Sequence, residues 1–259
     1  MKDIKLACCN FISDPIELKA LAVEHGFEGV DWSLSFEDLG PVPGARDVLA
    51  ENLAVLAPLE VRFHGPFHRT DWGHVDRDKG LEALEALHRA VSLVASVGGR
   101  FLTVHVGLGR DSTGNLSWES TVSGLSELAA HAHEAGITLC LENLAWGWTS
   151  RPDLFERMIR KTGCFVTLDI GHAIVSPAIS SGQFQIEDFV TPHPDRVRNA
   201  HVYDQEDGDR HLPPRDETDL RDRLRLLQRL MECDWWVLEL REMKALLQAL
   251  EAVRRFMGR

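Results

Sequence analysis

The chain has 259 residues, of which 44% are hydrophobic, a length that fits two average domains or one α/β barrel. Asp and Glu number 40 against 28 Lys and Arg, and the resulting formal charge of −12 disfavours nonspecific binding to a polyanion such as nucleic acid. Five cysteines without a CxxC motif argue against a disulfide framework, and no apolar stretch approaches the roughly 20 residues that span a bilayer. We therefore expect a cytoplasmic protein with no membrane partner.

Short apolar runs typical of β-strands alternate along the chain with segments of helical periodicity. The strand-like runs are Ile4–Cys9, Gly29–Ser33, Val61–Gly65, Phe101–Val106, Thr138–Glu142, Phe165–Asp169, Val197–Val202 and Trp235–Glu239. The helical segments are Pro15–His25, Ala45–Leu56, Lys79–Val97, Trp118–Ala135, Asp153–Lys161, a weak one at Ile186–Val190, Leu220–Cys233 and Glu242–Phe256.

Eight strand-then-helix units match the count and size of a closed barrel. The sequence therefore predicts an α/β protein, a (β/α)8 TIM barrel that forms one domain over residues 1–259. A doubly wound sheet is the alternative, and it normally carries a Gly-rich phosphate loop after its first strand. The corresponding segment here, CCNFISDP, contains no glycine.

Residue types that bind metal ions fall at the C-terminal ends of the strand-like runs. Six occupy such ends, one lies just past an end and two follow in the loop after the seventh run: His64, His105, Glu142, Asp169, His201 and Glu239, then His172, then Asp209 and His211. The strand ends of a barrel meet at one mouth, so these residues become neighbours. Crowded carboxylates and imidazoles would repel one another, and a divalent cation removes that repulsion. Oxygen and nitrogen ligands together suit Mn²⁺, Zn²⁺, Co²⁺ or Mg²⁺.

Short motifs surround these positions. They are HGPF at His64–Phe67, VHVG at Val104–Gly107, LEN at Leu141–Asn143, LDIGHA at Leu168–Ala173, HVYD at His201–Asp204, DRH at Asp209–His211 and the terminal LEL with Glu239. Together they resemble the xylose isomerase-like TIM-barrel superfamily, which includes sugar isomerases, ketose 3-epimerases, related dehydratases and the endonuclease IV type of abasic-site nuclease. The resemblance covers essentially the whole chain and gives almost no information about the substrate.

The resemblance implies roles for individual residues. The four metal ligands of the isomerase and epimerase branches are matched by Glu142, Asp169, His201 and Glu239. In the endonuclease branch nine ligands hold three zinc ions, and the remaining matched positions are His64, His105, His172, Asp209 and His211. These five are therefore candidates for additional contacts with metal or substrate. His172 also matches a residue that touches substrate or metal in the sugar branches.

Two departures favour the sugar branches. After its second strand the nuclease branch typically has a basic Ser-Pro-Arg-Arg-Trp-like stretch, whereas this chain reads WSLSFEDLGPVP, with Glu37 and Asp38 in the loop. Acids disfavour the approach of a phosphodiester backbone. Members of the superfamily also often have a Gly-x-Gly turn after the DxH element, and here the turn reads HLPPRDET.

We therefore expect a divalent-metal-dependent isomerase or epimerase that acts on a small sugar or sugar-like hydroxy-carbonyl substrate through a metal-stabilised enediolate. Glu142 and Glu239 would transfer the proton. Aromatic walls for the pocket are expected from tryptophans near the mouth, namely Trp32, Trp72, Trp146 and Trp148. The alternatives are an endonuclease IV-like trinuclear-zinc phosphodiesterase and a dehydratase on the same scaffold. A homo-oligomer is left open, and a nucleic-acid partner is disfavoured.

Overall fold

A computed structural model describes residues 3–39, 44–107, 112–208 and 210–258. Eight parallel strands close into a barrel, and two further short strands form a hairpin outside it. In chain order the strands are β1 (Lys5–Cys9), β2 (Gly29–Ser33), β3 (Glu60–His64), β4 (Phe101–Val104), β5 (Thr138–Glu142), β6 (Phe165–Asp169), β7 (Val197–His201), β8 (Gln205–Asp207), β9 (Arg210–Leu212) and β10 (Trp235–Leu238). The hairpin is the antiparallel pair of β8 and β9.

Helices cover the outside of the barrel and follow the strands in sequence. They are α1 (Pro15–Glu24), α2 (Ala45–Leu56), α3 (Arg77–Ser96), α4 (Trp118–Glu134), α5 (Pro152–Thr162), α6 (Ile170–Val175), α7 (Pro177–Ser180), α8 (Glu217–Arg229) and α9 (Met243–Met257). Helix starts are set by local side chains: Asp14, Asp76 and Ser117 each accept a hydrogen bond from a backbone N–H of the first turn. Among the described helices, none combines the length and the apolar composition needed to cross a membrane.

The predicted (β/α)8 barrel is confirmed. Strand neighbours follow chain order around the barrel, and β1 closes it by pairing in parallel with both β2 and β10. The predicted strand boundaries differ from the observed ones by at most two residues. The weak helical segment at Ile186–Val190 is a short 3-10 helix, Ile186–Phe189. The sequence did not predict the β8–β9 hairpin, which is short, polar and partly exposed and so lacks the apolar run used to recognise strands.

Side chains that alternate along each strand point into the barrel, where they form stacked layers. Near the N-terminal ends, Trp235 fills the space left by Gly29, since a Cβ at that glycine would lie 2.2 Å from the indole. The buried Arg62 guanidinium lies over the rings of Phe101 and Trp235, with its carbon 4.0 and 4.7 Å from the ring centroids. This filled lower layer leaves the opposite end of the barrel for a site.

Candidate functional site

Four side chains from consecutive barrel strands converge at the C-terminal end of the barrel. Glu142, Asp169 and His201 are the last residues of β5, β6 and β7, and Glu239 directly follows β10. Each offers a donor atom, and these atoms all lie within 4.8 Å of one another. All four residues are buried, the most exposed being Glu239 at 6%. The geometry thus brings together the four residues that the sequence suggested as metal ligands.

His201 lies between two of the carboxylates. Its Nδ1 is 3.0 Å from Oε1 of Glu142 and 3.1 Å from Oε2 of Glu239. Burial alone would raise the pKa of both glutamates, but His201 outweighs burial. It holds the pKa of Glu142 well below its usual value and, together with His211, lowers that of Glu239 to about 2. Both carboxylates are therefore ionised at neutral pH and able to accept a proton or bind a cation.

Asp169 is fixed so that one of its oxygens remains free. Asn143 donates from Nδ2 to the Asp169 carbonyl at 2.9 Å and accepts from the Asp169 N–H at 2.8 Å. Asp169 is also the N-cap of α6, since its Oδ1 accepts from the N–H of His172 at 2.6 Å. Its Oδ2 is buried and has no hydrogen-bond partner among the described residues.

The cluster suits a divalent cation for a physical reason. Asp169 Oδ2 is a buried oxygen without a hydrogen-bond partner in the described chain, it lies 3.7 Å from His201 Nδ1, and an unsatisfied buried atom is costly. Three buried carboxylates crowded into one layer also need compensating positive charge, and a divalent cation would supply it in place of a protonated His201. Carboxylate oxygens and an imidazole nitrogen within 4.8 Å of one another match the ligand chemistry of Mn²⁺, Zn²⁺, Co²⁺ or Mg²⁺.

Two further histidines lie beside the cluster on β3 and just after β4. His64 Nε2 is 3.0 Å from Oε2 of Glu142, and His64 Nδ1 is 2.7 Å from the Gly65 carbonyl. His105 is 3% exposed, and both of its ring nitrogens lack hydrogen-bond partners among the described residues. Burial, reinforced by His64, lowers the pKa of His105 to about 3. His105 is therefore a neutral imidazole that faces the cavity with free lone-pair capacity.

On the opposite side of the cluster lie His172 in α6 and His211 in β9. His172 Nδ1 is 2.8 Å from Oε2 of Glu206, and its Nε2 is 3.6 Å from Oδ2 of Asp169. Burial lowers the pKa of His172, but Asp169 and the hydrogen bond to Glu206 outweigh it and raise the pKa to about 9. His211 donates from Nδ1 to the carbonyl of Glu239 at 2.7 Å.

Tyr203, which the sequence argument did not single out, fixes the orientation of this histidine pair. Its ring stacks on His211 at 3.8 Å with an interplanar angle of 4° and meets His172 edge-on at 6.0 Å. Gly171 makes the arrangement feasible, because a Cβ there would lie 2.0 Å from the tyrosine ring. The Tyr203 hydroxyl is fully buried without a partner among the described residues. Burial and Asp169 raise its pKa well above the usual value.

Asp31 in β2 is a second residue that sequence analysis missed. It is 3% exposed, and its Oδ1 has no partner in the described chain. Burial raises the pKa of its carboxyl, whereas His201 and His64 oppose the rise. A signal was present in the sequence, since an acid inside the apolar run Gly29–Ser33 shares its face with Gly29 and Ser33.

Comparison with known proteins identifies the family of this chain. A family model described as "Xylose isomerase-like TIM barrel" matches residues 20–257. The chain belongs to the xylose isomerase-like TIM-barrel family. The sequence is also similar to the uncharacterized protein MJ0008 of Methanocaldococcus jannaschii, with 29% identity over 171 residues that cover 65% of this chain and 72% of the relative.

Solved structures share the fold at low sequence identity. A D-tagatose 3-epimerase-like protein superposes with a TM-score of 0.75 and 17% identity, covering 98% of this chain and 97% of the other. Endonuclease IV from Thermus thermophilus superposes with a TM-score of 0.68 and 18% identity, covering 98% and 99%. The likeness shows the xylose isomerase-like fold and includes both a sugar epimerase-like protein and a nuclease.

The residues that line the cavity differ in part from the tryptophans that the sequence predicted there. A cavity of about 1130 Å³ opens above the cluster and is lined by Trp146, Phe36 and Phe67 among others. Trp32 instead packs in the hydrophobic core. Trp72 is 4% exposed and donates from its indole N–H to the Thr121 carbonyl of α4 at 2.8 Å.

Trp148 meets Trp118 edge-on at 5.3 Å, away from the residues that line the cavity. Of the four expected tryptophans, Trp146 therefore lines the cavity, whereas Trp32, Trp72 and Trp148 are not among its lining residues. Of the five residues suggested for additional metal or substrate contacts, His105, His172 and His211 line the cavity and His64 contacts the cluster. Asp209 lies outside the described residues.

Proposed function

We propose that this chain is a divalent-metal-dependent isomerase or epimerase that acts on a small sugar or sugar-like hydroxy-carbonyl substrate. The observation that carries the proposal is the convergence of Glu142, Asp169, His201 and Glu239 under a cavity large enough for a sugar. A family likeness to a D-tagatose 3-epimerase-like protein supports the same substrate class. The proposal includes the identity of the metal ligands, the metal and the residues that transfer the proton.

The cation would be held by Glu142, Asp169, His201 and Glu239. When bound, it would supply positive charge that stabilises the negative charge developing on the substrate oxygens. Asn143 would keep Asp169 in position through the paired hydrogen bonds between β5 and β6. These contacts act before any chemistry, because they fix the ligand atoms in advance.

Glu142 and Glu239 would transfer the proton at the carbon next to the carbonyl group. Both carboxylates are ionised at neutral pH, which is the form that accepts a proton. Oε1 of Glu142 and Oε2 of Glu239 lie 3.0 and 3.1 Å from His201 Nδ1, so both carboxylates share one small region of the site. The glutamate that removes the proton is then protonated, and the protein can return a proton to the substrate carbon.

Deuterium incorporation tests this assignment. The Mn²⁺-loaded protein is incubated in D₂O with a panel of ketoses and sugar acids that includes D-tagatose, and mass spectrometry follows uptake at carbon. We expect uptake with wild-type protein and a loss of about 10²-fold or more in Glu142→Gln and Glu239→Gln. Glu134→Gln, at an exposed position of α4, is the matched control. Uptake within about tenfold of wild type in either cluster variant would show that the acid–base assignment is wrong.

A trinuclear-zinc phosphodiesterase like endonuclease IV is the second candidate. Three more imidazoles, those of His105, His172 and His211, line the same cavity, which provides donors beyond one metal site. Zinc analysis separates the two proposals, because three ions per chain favour the phosphodiesterase and one favours the isomerase. A dehydratase on the same scaffold would share the proton removal and would be recognised by loss of water from the product.

A further inference from the structure

The rim of the cavity carries arginines that have no acidic partner among the described residues. Arg69, Arg210 and Arg241 line it, all three are exposed, and none forms an ion pair or a side-chain hydrogen bond within the described residues. The deeper carboxylates of the same cavity are paired with imidazoles: Glu142 with His64 and His201, and Glu206 with His172. Positive charge at the rim is therefore available to a ligand, in a chain whose formal charge is −12.

Arg241 is connected to the metal cluster by a column of stacked rings. Its guanidinium carbon lies 5.1 Å from the centroid of Phe67, and Phe67 stacks on His64 at 4.8 Å with an interplanar angle of 19°. These two separations place the guanidinium carbon within 9.9 Å of the His64 ring centroid. A guanidinium held over an aromatic face loses little freedom when it binds an oxyanion.

Arg69 also holds its guanidinium group over an aromatic ring, and its backbone is strained. Its guanidinium carbon lies 5.1 Å from the centroid of Phe36, another residue that lines the cavity. Its φ of 60° is the one positive value at a non-glycine position in the described chain. A left-handed backbone is unfavourable for a long side chain, and such strain concentrates at functional sites. No hydrogen bond of the Arg69 side chain within the described residues offsets it, so the conformation serves to place the side chain at the rim.

We propose that Arg241, Arg69 and Arg210 form a subsite for a terminal oxyanion of the substrate, while its carbonyl end faces Glu142 and Glu239. The inference rests on the proposed function and narrows its substrate class to sugars that end in a phosphate monoester or a carboxylate. Guanidinium groups bind either group through paired hydrogen bonds. D-tagatose, the sugar named for the structural relative, has no such group, so this chain would differ from that relative in its substrate.

Glu37 and Glu242 set a limit on the ligand. Both are exposed, line the same cavity and have no ion pair in the described residues. They repel a long polyanion more strongly than a ligand with one terminal oxyanion, because repulsion grows with the number of charges on the ligand. Removal of Glu37 should therefore strengthen binding of the anion, the opposite effect to removal of Arg241.

Calorimetric titration of the Mn²⁺-loaded protein with three probes of the same carbon chain tests the subsite. The probes are D-tagatose, D-tagatose 6-phosphate and D-tagaturonate. Wild-type protein should bind at least one anionic probe about tenfold more tightly than D-tagatose. Arg241→Gln should remove most of that preference and leave the Kd for D-tagatose unchanged. Glu37→Gln should increase the preference about twofold to fivefold.

Arg221→Gln, at an exposed position of α8 with no ion pair in the described chain, is the matched control and should behave as wild type. Preference for the phosphate probe alone or for the carboxylate probe alone identifies the source of the oxyanion. Equal affinity for all three probes, no binding of the anionic probes, or an unchanged preference in Arg241→Gln overturns the proposal.

Failure of the proposed function would look different from failure of the subsite. If Glu142→Gln and Glu239→Gln keep their deuterium uptake while Arg241→Gln loses the anion preference, the subsite stands and the acid–base assignment falls. If the glutamate variants lose uptake and the anion preference is absent in wild type, the enzyme takes a neutral substrate.

Discussion

Two buried polar layers lie in the same barrel, and they differ in how fully the hydrogen bonds of their ionisable side chains are satisfied. In the lower layer Arg62 donates to Asn199 at 2.7 Å and to Asp234 at 2.9 Å, and the hydroxyls of Thr103 and Thr167 are 2.8 Å apart. At the mouth, buried atoms of Asp169, His201 and His105 have no partner within the described residues. A buried charged side chain alone therefore does not indicate a functional site. Buried ionisable side chains with unpaired atoms at the open end of the barrel do indicate one.

The largest expected effect is a loss of turnover when a carboxylate of the upper layer, at the barrel mouth, is replaced. Glu142→Gln should lower turnover by about 10²- to 10⁴-fold, because it removes a proton-transfer group and a ligand at once. The free energy of unfolding should change little, since His64 and His201 can release their protons when their partner is lost. Steady-state kinetics and urea denaturation of the same preparation check both parts. A variant that loses stability in proportion to activity would show that Glu142 is structural.

The reverse pattern is expected in the lower layer. Arg62→Ala should lower the free energy of unfolding by about 3 kcal/mol, because Asn199 loses a buried donor and Phe101 and Trp235 lose their packing partner. Glu60 and Asp234 are about a third or more exposed and regain water, so they add little to the loss. Turnover per folded molecule should stay at the wild-type value. A large drop in turnover would mean that the two layers are coupled.

A smaller effect tests how the mouth is held in shape. Tyr203→Leu should lower kcat/KM about tenfold by removing the parallel stack on His211 and the edge contact with His172. Tyr203→Phe keeps both ring contacts and should remain close to wild type. The Co²⁺-loaded proteins provide an independent readout through their visible absorption spectra. Equal losses in both variants would assign the role to the hydroxyl instead of the ring.

Much of this comparison could be predicted from the sequence, because parallel strands buried on both faces appear as apolar runs. The ends of β5 and β6 were predicted to the residue and that of β7 to within one residue, and these ends carry Glu142, Asp169 and His201. Position at the end of a strand is sufficient to place a side chain at the barrel mouth. The same rule placed His64, whose Nε2 reaches Glu142.

Loop orientation could not be predicted, because it depends on packing between distant segments. Trp72 follows β3 and was expected at the cavity, yet its indole packs against Gly124 of α4, where a Cβ would be only 2.7 Å away. The β8–β9 hairpin has no apolar run, although it carries Glu206 and His211 to the cavity. The orientation of Tyr203 depends in the same way on the missing side chain of Gly171.

The last expected effect is a pH dependence of stability with opposite signs at two histidines of the metal-free protein. The pKa of His172 is raised to about 9, so its contribution is complete below about pH 6.5 and is lost as pH rises through 9. The pKa of His105 is lowered to about 3, so stability falls as pH decreases from about 6.5 toward 3. Thermal unfolding of His172→Gln and His105→Gln across this range checks each sign. Curves parallel to wild type would contradict both assignments.

Metal content tests the central claim most directly. Purified wild-type protein, dialysed against Mn²⁺, Zn²⁺, Co²⁺ or Mg²⁺ and measured by elemental analysis, should retain one ion per chain for at least one of these metals. Asp169→Asn, which keeps the N-cap geometry of α6 but removes the free carboxylate oxygen, should lose most of that affinity while its circular dichroism spectrum is unchanged. Wild-type protein that retains no divalent ion, or an Asp169→Asn variant that retains as much as wild type, would contradict the account.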